Sequence, residues 1–162
     1  MIPPRLYGQF PVSCDPKNRI LVPGEIRKRL DPEVHGKDFM IVAGEKGRPW
    51  LYPFLYYDGL ASDLKGEIAP NLESSEFDRL FFGFAHPVEP DTQGRILIPA
   101  AVMTWTGMEK QSKFYLVCAR DHFEIWDVPS WEIERKLLLA RRNEVIEKAR
   151  QAARTRMEAH DA

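Results

Sequence analysis

Cysteine is scarce in this chain: Cys14 and Cys118 are the only two in 162 residues, and neither has a CxxC partner. That excludes a disulfide framework and leaves no sulfur set for a zinc site. Histidine does not fill the gap, because His35, His86, His122 and His160 are scattered without HxxH or HxxxH spacing. Long apolar runs are missing too, and none reaches the roughly 18 residues that a membrane span requires. Met1-Ile2-Pro3-Pro4-Arg5 lacks the charged-then-apolar order of a secretory signal. The expectation is a cytoplasmic chain with reduced thiols, no metal and no membrane partner.

Catalytic signatures are equally lacking. The chain has no Gly-rich phosphate loop and no GxSxG elbow. Asp15 and Asp91 resemble a carboxylate pair for acid–base work, but each occupies a turn-opening position where Asp bonds its own backbone. Cys118 falls in an apolar strand, where a free thiol packs as a small hydrophobe. Trp50, Tyr52, Phe54, Tyr56 and Tyr57, crowded around Pro53, read as core and subunit contact rather than as a stacking platform for single-stranded bases. No enzyme, cofactor or small-molecule substrate is expected.

An excess of one charge sign is also absent. Lys and Arg number 23 against 24 Asp and Glu, for a net charge of -1. A uniformly basic nucleic-acid binder is therefore excluded, because such proteins draw much of their affinity from phosphate neutralisation. The local field is a separate matter. Lys17, Arg19, Arg27, Lys28 and Arg29 outnumber Asp15 and Glu25 in one short stretch. The middle is acid-rich, with Asp58, Asp63, Glu67, Glu73, Glu76 and Asp78, and the tail turns basic again from Arg135 to Arg156.

What is present is an ordinary globular composition, 44% hydrophobic and 29% charged, and an internal repeat. Pro11-Val12, Asp15, Arg19-Ile20-Leu21 and Pro23 recur as Pro87-Val88, Asp91, Arg95-Ile96-Leu97 and Pro99, each 76 residues on. The likeness extends further: Ile26 answers Val102, Phe39 to Val42 answer Phe114 to Val117, and Leu51-Tyr52 answer Ile125-Trp126. Each copy reads as strand, turn, strand, helix and two closing strands. Asn18 and Gly94 stand where the turn needs a left-handed backbone. The strands after them, 19–22 and 95–98, are rich in branched apolar residues and end at proline. Helices follow at 24–30 and 100–106, and strands at 39–43, 50–52, 113–119 and 123–126. Between the copies, 54–65 and 75–82 carry apolar residues at helical spacing. A long helix starts at about Ser130, which caps it, and frays beyond Gln151. Its basic face reads as packing surface.

The paired Asp-x-x-(Asn/Gly)-Arg-Ile-Leu-(Val/Ile)-Pro motifs, with the aromatic ending at Trp126 and Trp131, resemble the MraZ family over residues 6–135. That family is a tandem version of the AbrB-like swapped-hairpin fold. The resemblance implies a mainly β protein with helices (α+β), in which two AbrB-like units form a pseudo-dimeric barrel, followed by a C-terminal helix. The units are expected at 6–55 and 82–129, with a helical linker at 56–81 and the terminal helix and tail at 130–162. The implied function is a transcriptional regulator, repressor or activator, cytoplasmic and nucleoid-associated. It would bind direct repeats in double-stranded promoter DNA of the division and cell-wall gene cluster, and assemble as a homo-oligomeric ring. Arg19 matches the family's DNA-contacting arginine, Lys17 its basic turn position and Arg27 the basic residue of the following helix. Lys28, Arg29 and Arg95 complete the expected DNA-binding set. Asn18 departs from the usual glycine, and Gln93 and Met103 replace basic residues in the second copy.

Two readings stay open for Arg19 and Arg95. Either guanidinium serves DNA, or it closes the turn by pairing with Asp15 or Asp91. The rival function is a protein–protein or antitoxin-like module without specific DNA binding.

Overall fold

Branched and aromatic residues at alternate positions make strands of the repeated segments, and the two copies assemble by pairing with each other. In the computed structural model, residues 2–64, 66, 68, 71–110 and 112–160 are described. They form two compact units, one ending at Asp127 and one from Val128 onward.

The first unit contains β1 (Gln9–Ser13), β2 (Arg19–Leu21), α1 (Gly24–Arg27), α2 (Pro32–His35), β3 (Phe39–Ala43) and β4 (Pro49–Pro53) from the first copy. Two helices follow, α3 (Phe54–Ser62) and α4 (Leu72–Phe81). The second copy supplies β5 (His86–Val88), β6 (Arg95–Leu97), α5 (Ala100–Thr106), β7 (Lys113–Cys118) and β8 (Phe123–Asp127). Six strands form one sheet in the order β1-β7-β8-β4-β3-β5, every neighbour antiparallel. Exchanging the copies leaves that order unchanged, so the sheet has a pseudo-twofold between β4 and β8. The leading strand of each copy pairs with the other copy's hairpin: β1 with β7 and β5 with β3. The same pseudo-twofold relates β2 and β6, which pair as a separate two-stranded ribbon centred on Ile20 opposite Ile96.

The core follows the repeat. Ile20 and Ile96, Val22 and Ile98, Ile26 and Val102, Phe39 and Phe114, Ile41 and Leu116, and Leu51 and Ile125 are all buried in one cluster. Fully burying each such side chain contributes about 1.5–3 kcal/mol. Matching positions of both copies fill the same interior.

The α+β class agrees with expectation, but the strands do not close into a barrel. Among the described residues the sheet is open, with β1 and β5 as its edges. Pro11 in β1 and Pro87 in β5 lack the backbone N–H that a further strand would need. The expected helix at 24–30 ends at Arg27, and a further short helix starts at Pro32, which disfavours helical backbone at Asp31. Asp31 then caps α2 by accepting from Glu33 N at 2.9 Å. Helix α3 stops at Ser62, and residue 65, the expected end, lies outside the described residues. Helix α4 starts three residues early because Asn71 caps it, accepting from Ser74 N at 2.8 Å.

The second unit is α6 (Val128–Ala140) followed by α7 (Arg142–His160). Ser130 lies inside α6 and does not start it. The single long helix expected is two, parted at Arg141, and past Gln151 the backbone continues helical to His160, where alanine and arginine are strong helix formers. Its basic residues are exposed, and two pair along the helix, Lys148 with Glu144 at 2.6 Å and Arg150 with Glu147 at 3.7 Å.

At the sheet centre, β4 and β8 meet beside a half-buried polar cluster. The His122 ring stacks on Tyr52 at 4.7 Å and lies 4.8 Å from Trp50. Its Nδ1 is 2.8 Å from Asp121 and its Nε2 is 3.6 Å from Glu124, too long for a hydrogen bond. Tyr56 donates to Asp121 at 3.0 Å, and Trp126 Nε1 donates to Glu124 at 2.6 Å. Burial works against the imidazolium, yet the two carboxylates prevail and hold the His122 pKa above its ordinary value. A raised native pKa stabilises the fold fully below the unfolded value of about 6.5, and that stability fades as pH rises through the native value. Urea midpoints should therefore fall as pH is raised from about 6, and His122→Gln should flatten that dependence. An unchanged slope in the variant would show that His122 does not carry it.

Candidate nucleic-acid interface

Each repeat motif builds the same turn. Asp15 Oδ1 accepts from Lys17 N at 2.8 Å and Arg19 N at 3.0 Å; Asp91 Oδ1 accepts from Gln93 N and Arg95 N, both at 2.9 Å. The other carboxylate oxygen takes the guanidinium. Arg19 Nε and Nη2 are each 2.8 Å from Asp15 Oδ2, and Arg95 Nε and Nη2 are each 2.8 Å from Asp91 Oδ2. Backbone and side-chain donation from Arg19 and Arg95 holds both carboxyls below the usual carboxylate range. Both Asp residues are therefore turn-formers, and the ion-pair reading of Arg19 and Arg95 is realised. A guanidinium has five donors, so pairing one edge leaves the other available.

The left-handed residue of each turn links the copies. Asn18, at φ 58°, offers its carbonyl to Ile98 N at 2.8 Å, and Gly94, at φ 82°, offers its own to Val22 N at 3.0 Å. These bonds flank the β2–β6 ribbon and fix its register: Arg19 opposite Leu97, Ile20 opposite Ile96, Leu21 opposite Arg95. Because strand side chains alternate, burying Ile20 and Ile96 turns Arg19, Leu21, Arg95 and Leu97 outward together. The two arginines thus share one face, and Arg19 Nη1 lies 4.0 Å from Asp91.

The remaining expected cations all belong to the first copy. Lys17 and Lys28 are exposed and, among the described residues, form no ion pair. Arg29 stands over the Tyr7 ring, 4.9 Å from its centroid. Arg27 donates Nε to Val22 O at 3.0 Å and lies across Gly94, where an added Cβ would sit 2.7 Å from the guanidinium. Its counterpart Met103 is buried instead. The two halves share a backbone but not a charge pattern: each turn balances one Asp against one Arg, Lys17 lies on the first turn where the second has Gln93, and Arg27 of the first copy reaches across to the second turn.

Sequence reasoning passed over Leu21 and Leu97, counting them with the apolar strand. Both are exposed. The alternation Arg-Ile-Leu-Val holds the signal, since one face must follow Ile20 inward and the other must follow Arg19 outward. His35 was likewise grouped with the scattered histidines, yet it is buried and its Nδ1 accepts from Asp31 N at 2.9 Å. Among the described residues, no cluster of His, Cys, Asp and Glu is arranged to hold a metal ion. No helix among them is long and apolar enough to cross a membrane.

Substitution at the turns should separate the two copies. Gly94→Ala puts a Cβ on a left-handed backbone and pushes the flexible Arg27 guanidinium aside, and should cost about 1–2 kcal/mol, mainly from the backbone. Asn18→Gly at the matched position should stay within about 1 kcal/mol of wild type, because glycine adopts the same left-handed backbone without strain. Chemical denaturation of the two variants checks this, and equal losses would refute the asymmetry.

A family model described as "MraZ protein, putative antitoxin-like" matches residues 81–154. Several curated proteins match over more of the chain. The transcriptional regulator MraZ of Clostridium beijerinckii is 36% identical over 124 residues, covering 76% of this chain and 82% of that protein. That of Acetivibrio thermocellus is 31% identical over 126 residues, with 78% and 83% covered. That of Dehalococcoides mccartyi is 29% identical over 143 residues, with 87% and 95% covered.

Proposed function

The chain belongs to the MraZ family, a family of transcriptional regulators rather than enzymes, and on that premise we propose that it regulates transcription by sequence-specific binding to double-stranded DNA. The observation that carries this reading is the outward face of the β2–β6 ribbon. Two guanidiniums stand there in fixed orientation, each braced on one edge by the Asp of its own turn. An antiparallel two-stranded ribbon fits the major groove, where arginine donates two hydrogen bonds to O6 and N7 of guanine. Bracing suits that task, because the side chain is oriented before it meets a base and loses less freedom on binding.

Affinity comes from elsewhere. The Asp partners cancel most of the Coulomb attraction of Arg19 and Arg95 for phosphates. Lys17, Lys28, Arg29 and Arg27, all from the first copy, serve the backbone, which positions the protein without reading sequence. With so few phosphate contacts per chain, several copies acting together on tandem sites raise avidity without a large net charge. The reading accordingly includes a ring-shaped homo-oligomer on direct repeats in the promoter DNA of the division and cell-wall gene cluster, acting in the cytoplasm at the nucleoid. The sequence units 6–55, 56–81, 82–129 and 130–162 would then divide the work, with DNA contact in the first and third.

Fluorescence anisotropy with the DNA upstream of the protein's own gene, beside a scrambled duplex at several salt concentrations, tests the reading. Native DNA should bind more tightly, and binding should weaken as salt rises. Arg19→Ala should lose about 1–3 kcal/mol of discrimination. Lys17→Ala should weaken both duplexes alike and reduce the salt slope by about 1. Equal or absent binding to both duplexes would overturn the reading and turn attention to a protein partner, the alternative that the family's antitoxin-like description favours.

A further inference from the structure

Leu21 and Leu97 stand on the ribbon's outer face and have no part in the guanine and phosphate contacts above. They are 47% and 54% exposed, although the strands that bear them run directly over the core. Leu21 lies opposite Arg95 and Leu97 opposite Arg19, so the face carries two arginine–leucine pairs related by the pseudo-twofold. We propose that Leu21 and Leu97 contact thymine methyl groups and thereby set the base preference beside the guanines; this rests on the DNA-binding reading.

The chemistry of the major groove leads to this ligand. Its floor is made of donors and acceptors, apart from one apolar feature, the C5 methyl of thymine. A leucine carried into the groove beside an arginine meets either a polar edge it cannot satisfy or that methyl. The spacing agrees. Residues two apart on a strand are about 6.6 Å from each other, close to two base steps of about 3.4 Å. A thymine is therefore expected within about two steps of each guanine that Arg19 or Arg95 reads. The register sets each leucine opposite an arginine, with the two leucines diagonal to one another on the same face.

The test uses the full chain and a random duplex pool. Sequences enriched by wild type are resynthesised with deoxyuridine at each thymine in turn, which removes only the methyl. Their affinities are then measured with wild type, Leu21→Ala, Leu97→Ala and the double variant. Both leucines are exposed, and circular dichroism checks that each variant folds. Loss of a methyl within two steps of a guanine should weaken wild-type binding about fourfold. The same replacement should have no effect on the variant that lacks the contacting leucine. Failure to enrich any sequence would overturn the DNA reading and this proposal with it. Enrichment with no penalty from deoxyuridine, and the same sequences chosen by the double variant, would overturn the thymine contacts and leave DNA binding standing. A double variant that loses its assembly by light scattering, yet keeps wild-type sensitivity to the methyl, would assign the leucines to a subunit contact and overturn the proposal.

Discussion

Everything in the first unit depends on Ile20 lying opposite Ile96. A ribbon of three residues per strand is too short to persist by its own hydrogen bonds. It persists because both isoleucines are buried in the common core, and because Val22 and Ile98 are bonded to the turns of the opposite copy. Slipping the register by one residue would bring Arg19 and Arg95 into the core and expose the isoleucines. The same burial that stabilises the fold therefore decides which side chains face solvent, and the candidate interface is the reverse side of a core contact.

Duplication supplies the symmetry, and divergence removes it where charge is concerned. The two turns match to about a tenth of an ångström in their Asp-to-Arg bonds. Around them the copies differ in a coordinated way. Arg27 covers the second turn, and that turn has Gly94; Met103 is buried in the corresponding helix, and the first turn tolerates Asn18. Lys17 and Gln93 add to the contrast. A pseudo-symmetric ribbon in which the first copy alone carries these cations has a direction, which a true dimer of identical halves would lack.

The carboxylates next to these arginines have a double effect. Each Asp closes its turn through two backbone N–H groups and holds a guanidinium through its second oxygen. The charge is thereby neutralised while donor geometry is kept. A chain with a net charge of -1 can then present oriented donors without a broadly basic surface. His122 plays a comparable part at the sheet centre, where two carboxylates and two aromatic rings surround one imidazole.

Sequence by itself determined the duplication, the order of elements within each copy, and the turns with their Asp and left-handed residue. These depend on local chemistry: hydrogen bonds over two to four residues, proline at strand ends, and alternation. It also placed Lys17, Arg19, Arg27, Lys28, Arg29 and Arg95 near the two motifs. Only the tertiary structure decided that β1 joins β7 and β5 joins β3, that the sheet stays open, and that Arg27 reaches the other copy's glycine. The early start of α4 was legible in Asn71 as a cap, but the fate of Leu21 and Leu97 was not. Their exposure is set by a partner strand 76 residues away, and pairing over that distance is a property of the folded core rather than of any local stretch.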